Sequence, residues 1–313
     1  MSVEHWETYY RGGGLVTCPT GPEPNYTLEA REIWEAFFRS LPADARIVDI
    51  GTGNGPIPLI AKQCSDSAER RFEIHGVDLA QIAPDRDVPD GARLFEGIRF
   101  HPGVSAEQLP FEPASVDAVT GQYALEYADV GRVLAEVARV LRPGARAQFV
   151  THHRDSVVLA NAGPTFRQFR LLFEETRLLR RLRRFLDLER AGRGTVSGAA
   201  RELESALRQV DAALAAEPGS QPVLAMARDV TGRSLAERRT APASVLDAGI
   251  ERVERELRGS WRRLQDLEGC ALDQSAAEEV GRLGQTAGLR SEAPQALLHA
   301  GRHLIGWRFN FSR

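Results

Sequence analysis

The stretch that most limits what this chain can fold into is "RIVDIGTGNGPIPLIA", Arg46 to Ala61. A hydrophobic run ends in an acid, glycines follow at every second position, and the sequence turns apolar again. This is the pattern of a strand passing through a tight turn into a helix. Glycine backbone there lets a ligand come close, and the helix start offers unbonded N–H groups. Four uses compete: a phosphate cradle, a hydride-transfer dinucleotide, a sulfonium cofactor, or a tight turn alone. A P-loop needs GxxxxGK[ST], and neither that spacing nor its lysine is present. A dinucleotide fingerprint needs GxGxxG; counted from Gly51 the third glycine position is Pro56, and from Gly53 it is Pro58. What stands instead is Asp49 followed by Gly51, Gly53 and Gly55, with a second acid, Asp78, ending the next hydrophobic run in "HGVDLA". A strand-end aspartate can accept both hydroxyl protons of a ribose diol.

The surrounding sequence reads as alternating units. Residues up to about 26 look irregular, and Thr27 to Leu41 reads as an amphipathic helix with Thr27 as N-cap, ending before Pro42. Strands are expected at "RIVDI", "FEIHGVDL", "IRFHPGV", "VDAVTGQYAL" and "ARAQFVTHH", with helices from Pro56 to about Cys64 and at "VGRVLAEVARVL". Strands alternating with helices predict an α/β, doubly wound parallel sheet. From about Pro164 to Gln285 strand signal nearly vanishes and helical runs take over. One is the Arg-rich "FRQFRLLFEETRLLRRLRRFLDLER". A second aligns Leu203, Leu207, Val210 and Leu214, and a third aligns Leu246, Ile250, Val253, Leu257, Trp261 and Leu264. Steps of three and four residues mark packed helices or a coiled coil. The clusters "GRGTVSG", "EPGSQP" and "TAPAS" separate the runs. A helix "AAEEVGRLGQTAG" and the alternating aromatic "LIGWRFNFS" follow, the latter suited to a strand that rejoins the sheet. The expected division is therefore 1–43 (arm and helix), 44–158 (core), 159–272 (largely α-helical insertion) and 273–313 (completion of the core).

Composition excludes several classes. Lys62 is the only lysine, so Schiff-base or lysine general-base chemistry has essentially no candidate. A formal charge of −3 does not point to a nucleic-acid partner. Cys18, Cys64 and Cys270 are far apart and form no CxxC, which suits thiols of a reduced compartment. The polar N-terminus and the lack of any span-length apolar segment predict a cytoplasmic protein without a membrane span.

The glycine spacing together with Asp78 resembles the class I S-adenosylmethionine-dependent methyltransferases. Downstream, "SAEQLPFEPASVDAVTGQYALEY" is similar to the family's third and fourth motifs, and "LAEVARVLRPGARAQFV" to the helix-turn-strand of its UbiE-like, small-molecule branch. The likeness covers residues 44 to 155 and, loosely, the C-terminal segment, but not the insertion. It implies a Rossmann-like methyltransferase sheet with S-adenosylmethionine as cofactor. Gly51 and Gly53 would pass under its methionine part, and Asp49 would orient that turn or face the ammonium. Asp78 would hold the ribose hydroxyls, Leu79 would pack on the adenine, and Gln122 would line the sulfonium side. Where branch members often read Gly-Asp-Ala-Glu-x-Leu-Pro-Phe, this chain reads "VSAEQLPF". Ser105 thus replaces the acid facing the adenine amine, leaving the Ala106 backbone and Glu107.

The implied reaction is in-line displacement at a sulfonium methyl, helped chiefly by alignment and exclusion of water. A base is needed only for a protonated acceptor. Candidates lie at the carboxyl ends of the fourth and fifth strands: Glu126 and Tyr127 in "ALEYAD", and His152 and His153 in "VTHHRD". No metal site is expected. The N-terminal "HWETYYRGGGLVTCPTG" lies where this family often places a lid, with Tyr9 and Tyr10 forming part of its wall, or else it is an arm packing on the helical insertion. The insertion is expected to cap a bulky acceptor or to form a homodimer through its apolar stripes. Nine arginines between Arg167 and Arg193 also allow a nucleic-acid surface, although nearby acids dilute it. The expected function is methyl transfer to O, N or C of a small or medium-sized metabolite. The alternatives are a nucleic-acid methyltransferase using the Arg-rich helix and a non-catalytic cofactor-binding scaffold.

Overall fold

A computed structural model describes residues 3–18, 23–192, 196–217 and 219–313. Arg193, with parts of the lid segment and of the "GRGTVSG" and "EPGSQP" clusters, lies outside the described residues. The chain divides into two units, one of residues 1–160 with 265–313 and one of residues 161–264.

In chain order the first unit contains helices α1 (Glu4–Tyr10) and α2 (Glu29–Arg39), strand β1 (Arg46–Ile50), α3 (Pro56–Ser67) and β2 (Glu73–Asp78). The short helical turns α4 (Pro84–Asp87) and α5 (Gly91–Leu94) follow, then β3 (Arg99–Pro102), β4 (Val116–Gln122), a 3-10 turn at Leu125–Tyr127, α6 (Val130–Val140) and β5 (Leu141–Thr151). Helix α7 (Val157–Arg170) leads into the second unit. There a π-helical turn at Leu171–Glu175 precedes α8 (Leu178–Arg190), α9 (Val196–Ala216), α10 (Pro222–Glu237) and α11 (Ala243–Cys270). Helix α12 (Gln274–Thr286) and strands β6 (Arg290–Ser291), β7 (Gln295–His299) and β8 (His303–Ser312) complete the first unit.

The sheet order is β3-β2-β1-β4-β5-β8-β6, with β7 paired to β8. Strands β1 to β5 pair in parallel, and β8 runs antiparallel to β5. The strands bury side chains on both faces, as a sheet covered on both sides requires. On one face Val48, Ile50, Val119 and Phe149 pack with Val133, Leu134 and Val137 of α6 and Ala277 and Val280 of α12. On the other Ile47, Ile74 and Ala118 pack with Trp34 and Phe38 of α2 and Ile57 and Ile60 of α3. Asp129 caps α6 by accepting the Arg132 N–H at 3.1 Å. The fold is thus a mixed α/β, doubly wound Rossmann-like sheet. Strand order reverses between β1 and β4, and ligands of such sheets bind beyond the carboxyl ends of the strands at this switch point.

The second unit is helical, and its apolar stripes form its own core. Leu182 and Leu186, Leu203 and Val210, Leu224, and Ile250, Val253 and Leu257 bury one another, with Leu207, Leu214, Trp261 and Leu264 packed at the margin.

Several local expectations need correction. The N-terminal segment is not wholly irregular, since Glu4–Tyr10 is helical. The N-cap position of α2 is Leu28, at φ 47, one residue after Thr27, and no side-chain hydrogen bond caps the helix there. Strand β4 stops at Gln122 because Tyr123, at φ 54, turns the chain into the 3-10 turn. Helix α10 was not expected; its buried positions include Ala227, Thr231 and Ser234, too small or polar to make a visible stripe.

Candidate functional site

The switch point gathers the glycine turn and the ends of β2, β4 and β5. Gly51, Gly53 and Gly55 have φ of 57°, 51° and 78°. This left-handed region costs an L side chain roughly 1 kcal/mol or more. Space enforces the same choice: a Cβ on Gly51 would stand 2.4 Å from the Ala124 Cβ, and one on Gly53 would stand 2.7 Å from the Tyr10 ring. The turn is held from beneath by Asp78, whose Oδ2 accepts the Gly53 N–H and whose Oδ1 accepts the Ala80 N–H, both at 2.8 Å. Next to it Leu79 is 48% exposed, an apolar side chain left open beside a buried acid. Asp49 is buried at the end of β1 and accepts the Thr120 hydroxyl at 2.7 Å. Burial pushes Asp49 up to about 7 and Asp78 up to about 6.

A second cluster forms where the 3-10 turn folds over the end of β5. Glu126 Oε1 accepts the His152 backbone N–H at 2.7 Å. Its Oε2 is buried without a hydrogen-bond partner among the described residues, as is His152 Nδ1. The His152 ring lies flat on Tyr123, 4.0 Å between centroids with planes 1° apart, and edge-on to Tyr127 at 6.1 Å. Burial raises Glu126 to about 8 and lowers His152 to about 3. At neutral pH the acid therefore holds its proton and the imidazole is uncharged and weakly basic.

Helix α1 joins the two clusters. Trp6 stacks on Tyr10 at 6.0 Å and meets Tyr127 edge-on at 5.8 Å. Asn54 Nδ2 donates to the carbonyls of Tyr10 at 2.9 Å and Gly14 at 2.8 Å, fixing the arm on the glycine turn. Tyr9 donates to the Val16 carbonyl at 3.0 Å. At the helix's other end His5 Nε2 lies 2.7 Å from Asp266 Oδ2.

Of the residues singled out in the sequence, Asp49, Gly51, Gly53, Asp78 and Leu79 come together at the turn, and Glu126, Tyr127 and His152 at the second cluster. His153 faces elsewhere: it stacks on Trp307 at 4.5 Å and its Nδ1 accepts the Asp155 N–H at 2.9 Å. Glu107 accepts the Asp129 N–H at 3.2 Å and faces Arg132 at 3.5 Å, while Ala106 packs at the edge of the core. Gln122 Oε1 accepts the Trp34 indole N–H beneath the sheet. Sequence reasoning missed Trp6, Asn54 and Tyr123. Trp6 stands one helical turn before Tyr10, a spacing that would have revealed it had α1 been recognised as a helix.

The buried carboxyls imply a pH dependence for the ligand-free protein. Above about pH 7.5 the buried His152 and His75, both lowered from 6.5, are essentially neutral in folded and unfolded states alike. Asp49 and Glu126 stay protonated in the fold up to about 7 and 8, whereas in the unfolded chain they ionise near 3.8 and 4.5. The folded state therefore holds more protons, and stability falls as pH rises through this window. A melting temperature that declines from about pH 7.5 to 8.5, with a shallower slope in Glu126→Gln, is the expected result. A flat or rising curve contradicts it.

A doubly wound sheet with a glycine turn and two buried acids at its switch point defines the class: a domain built to hold a nucleoside-containing cofactor. The particular family follows from comparison. Residues 48–149, about a third of the chain, match the family described as a methyltransferase domain. The chain is 34% identical over 122 residues to an uncharacterized methyltransferase of Mycobacterium bovis, covering 39% of this chain and 46% of that protein. It is 35% identical over 107 residues to the dimethylglycine N-methyltransferase of Parasynechococcus marenigrum, covering 33% and 36%. A geranyl diphosphate C-methyltransferase structure from Streptomyces coelicolor A3(2) aligns at TM-score 0.34 and 21% identity, over 39% of this chain and 42% of that one. The chain thus spans less than half the length of the curated relatives it matches, 46% and 36% for the two named. No helix among the described residues is long and apolar enough to cross a membrane.

Proposed function

We propose that this chain is an S-adenosylmethionine-dependent methyltransferase that transfers a methyl group to O, N or C of a small or medium-sized metabolite, on the UbiE-like branch. The observation that carries the reading is the glycine cradle, with Asp78 beneath it and the exposed Leu79 beside it at the switch point. The residues fit the cofactor. Gly51 and Gly53, packed against Ala124 and the Tyr10 ring, hold the left-handed turn that would carry the backbone past its methionine part, and Asp49 offers a carboxyl to its ammonium. Each Asp78 oxygen keeps a lone pair for a ribose hydroxyl, and Leu79 gives an apolar seat for adenine. When bound, the cofactor supplies a methyl group already activated by its positive sulfur.

The chain's own residues then align, exclude water and move a proton. Trp6 and Tyr10 of α1 close over the turn as a lid. Glu126 is the general base for a protonated acceptor, receiving the proton at Oε2. The His152 backbone N–H holds Oε1, and the His152 ring with Tyr123 keeps the carboxyl dry. His152 itself is too weakly basic for that task. Free cysteines at 18, 64 and 270 fit a reducing cytoplasm. The nucleic-acid alternative is not favoured, because Arg170, Arg183, Arg184 and Arg190 of the basic run are paired with acids.

Incubation with a methyl-labelled donor and either a metabolite extract or total RNA tests the reading. Label is expected in the small-molecule fraction, with turnover reduced about tenfold in Tyr10→Ala as water enters. Label confined to RNA sinks the small-molecule assignment, and binding without transfer to any acceptor sinks the enzyme.

A further inference from the structure

The helical unit contains a cavity that methyl transfer does not use. It measures about 120 Å³ and is lined by Phe173, Arg177, Leu179, Arg180, Glu254 and Arg258, among others. All belong to the π-helical turn, the start of α8, or α11. The volume suits a small head group, well below the several hundred Å³ of a pocket for a drug-sized molecule.

Its charge is unbalanced. Along the basic run Arg170 pairs with Glu174, Arg183 with Glu254, Arg184 with Glu202, and Arg190 with Asp187 and Asp247. Arg177 and Arg180 make no ion pair among the described residues; Arg177 Nε reaches only the Glu174 carbonyl, at 3.3 Å. These two, Arg177 at the N-cap position of α8 and Arg180 in its first turn, both line the cavity. The single acid in the lining, Glu254, already faces two guanidiniums, Arg183 at 3.1 Å and Arg258 at 2.8 Å.

The third cation is fixed in place. The Arg258 guanidinium sits over the Phe173 ring, 4.5 Å from its centroid, and Phe173 stacks on Trp261 at 5.1 Å with planes 6° apart. The backbone is held in an uncommon form here as well. Five residues take the π-helical turn, closed by the Thr176 N–H to the Leu171 carbonyl at 2.9 Å, and Arg177 follows at φ 48. Such strained positions persist where the surroundings hold them, and they gather at binding sites.

We propose that this cavity is an anion site for a phosphate dianion, bound by Arg177, Arg180 and Arg258. Guanidinium forks match phosphate oxygens in pairs, and three of them against one already neutralised acid call for two negative charges rather than one. The phosphate comes from inorganic phosphate or from a small phosphate ester, since both present the same group.

Calorimetric titration of the full chain at low ionic strength with inorganic phosphate, glycerol 3-phosphate and acetate tests this. Saturable 1:1 binding of at least one phosphate probe is expected, and the tighter of the two identifies the source. Binding is expected to weaken at least tenfold in Arg177→Gln/Arg180→Gln and to recover in part in Arg180→Lys. Both positions are exposed, and an unchanged melting curve in ligand-free buffer confirms the fold. Absence of saturable binding to the wild type, equal binding by the double variant, or acetate binding as tightly as phosphate overturns the proposal.

Discussion

Glu126→Gln is expected to lower the rate of methyl transfer by about 10²- to 10⁴-fold, the usual contribution of a positioned acid or base. The substitution keeps the side chain's shape and an oxygen to accept the His152 N–H, so cofactor binding should change little. What it removes is the atom that takes the proton. The pH profile gives the sharper signature. With its carboxyl raised to about 8 by burial, the wild-type rate should climb as pH rises through that value and then level off. The glutamine variant's residual rate should not follow that rise. A variant that keeps the wild-type rate, or the same rise, would remove Glu126 from the chemistry. An acceptor that carries no proton on its reacting atom would give the same outcome, so the profile also reports on the acceptor.

Asp78→Asn is expected to weaken S-adenosylmethionine binding by about 10- to 100-fold, matching the loss of roughly 1.5–3 kcal/mol in charge-assisted hydrogen bonds to the ribose. Alanine is the poorer choice at this position. Asp78 accepts two backbone N–H groups, from Gly53 and Ala80, and alanine would leave both without an acceptor inside the protein. Each such orphan costs about 1–3 kcal/mol, so a loss of binding could be a loss of the turn. Asparagine keeps most of the shape and one acceptor oxygen, so it leaves one of the two N–H groups without an acceptor where alanine leaves both, and an unchanged melting curve shows that the turn survives. An affinity equal to wild type, measured by calorimetry, would show that Asp78 serves the turn alone.

The sheet was legible because its central strands are buried on both faces and read as apolar runs, as in "RIVDI" and "VDAVTG". The glycine turn was legible because positive φ and close contact admit little else at Gly51 and Gly53. Other features leave no local trace. Periodicity does not state direction, so β8 could be expected in the sheet but not as an antiparallel neighbour of β5. Tyr123 turns the chain without a glycine, and that turn places Glu126 against His152. Helix α1 has no side-chain cap and is only one short element, and Trp6 meets Tyr127 only through tertiary packing. Glu107 matched the motif, yet its carboxylate caps the approach to α6. A motif fixes position in the fold, and the partners of each side chain come from the rest of the chain.

The most direct test of the central claim is calorimetric titration of the unaltered chain with S-adenosylmethionine and with S-adenosylhomocysteine. Saturable 1:1 binding of both, weakened for both by Asp78→Asn, is the result expected of a cofactor seated on the glycine turn. A chain that is folded by its melting curve and takes up neither compound would contradict the account.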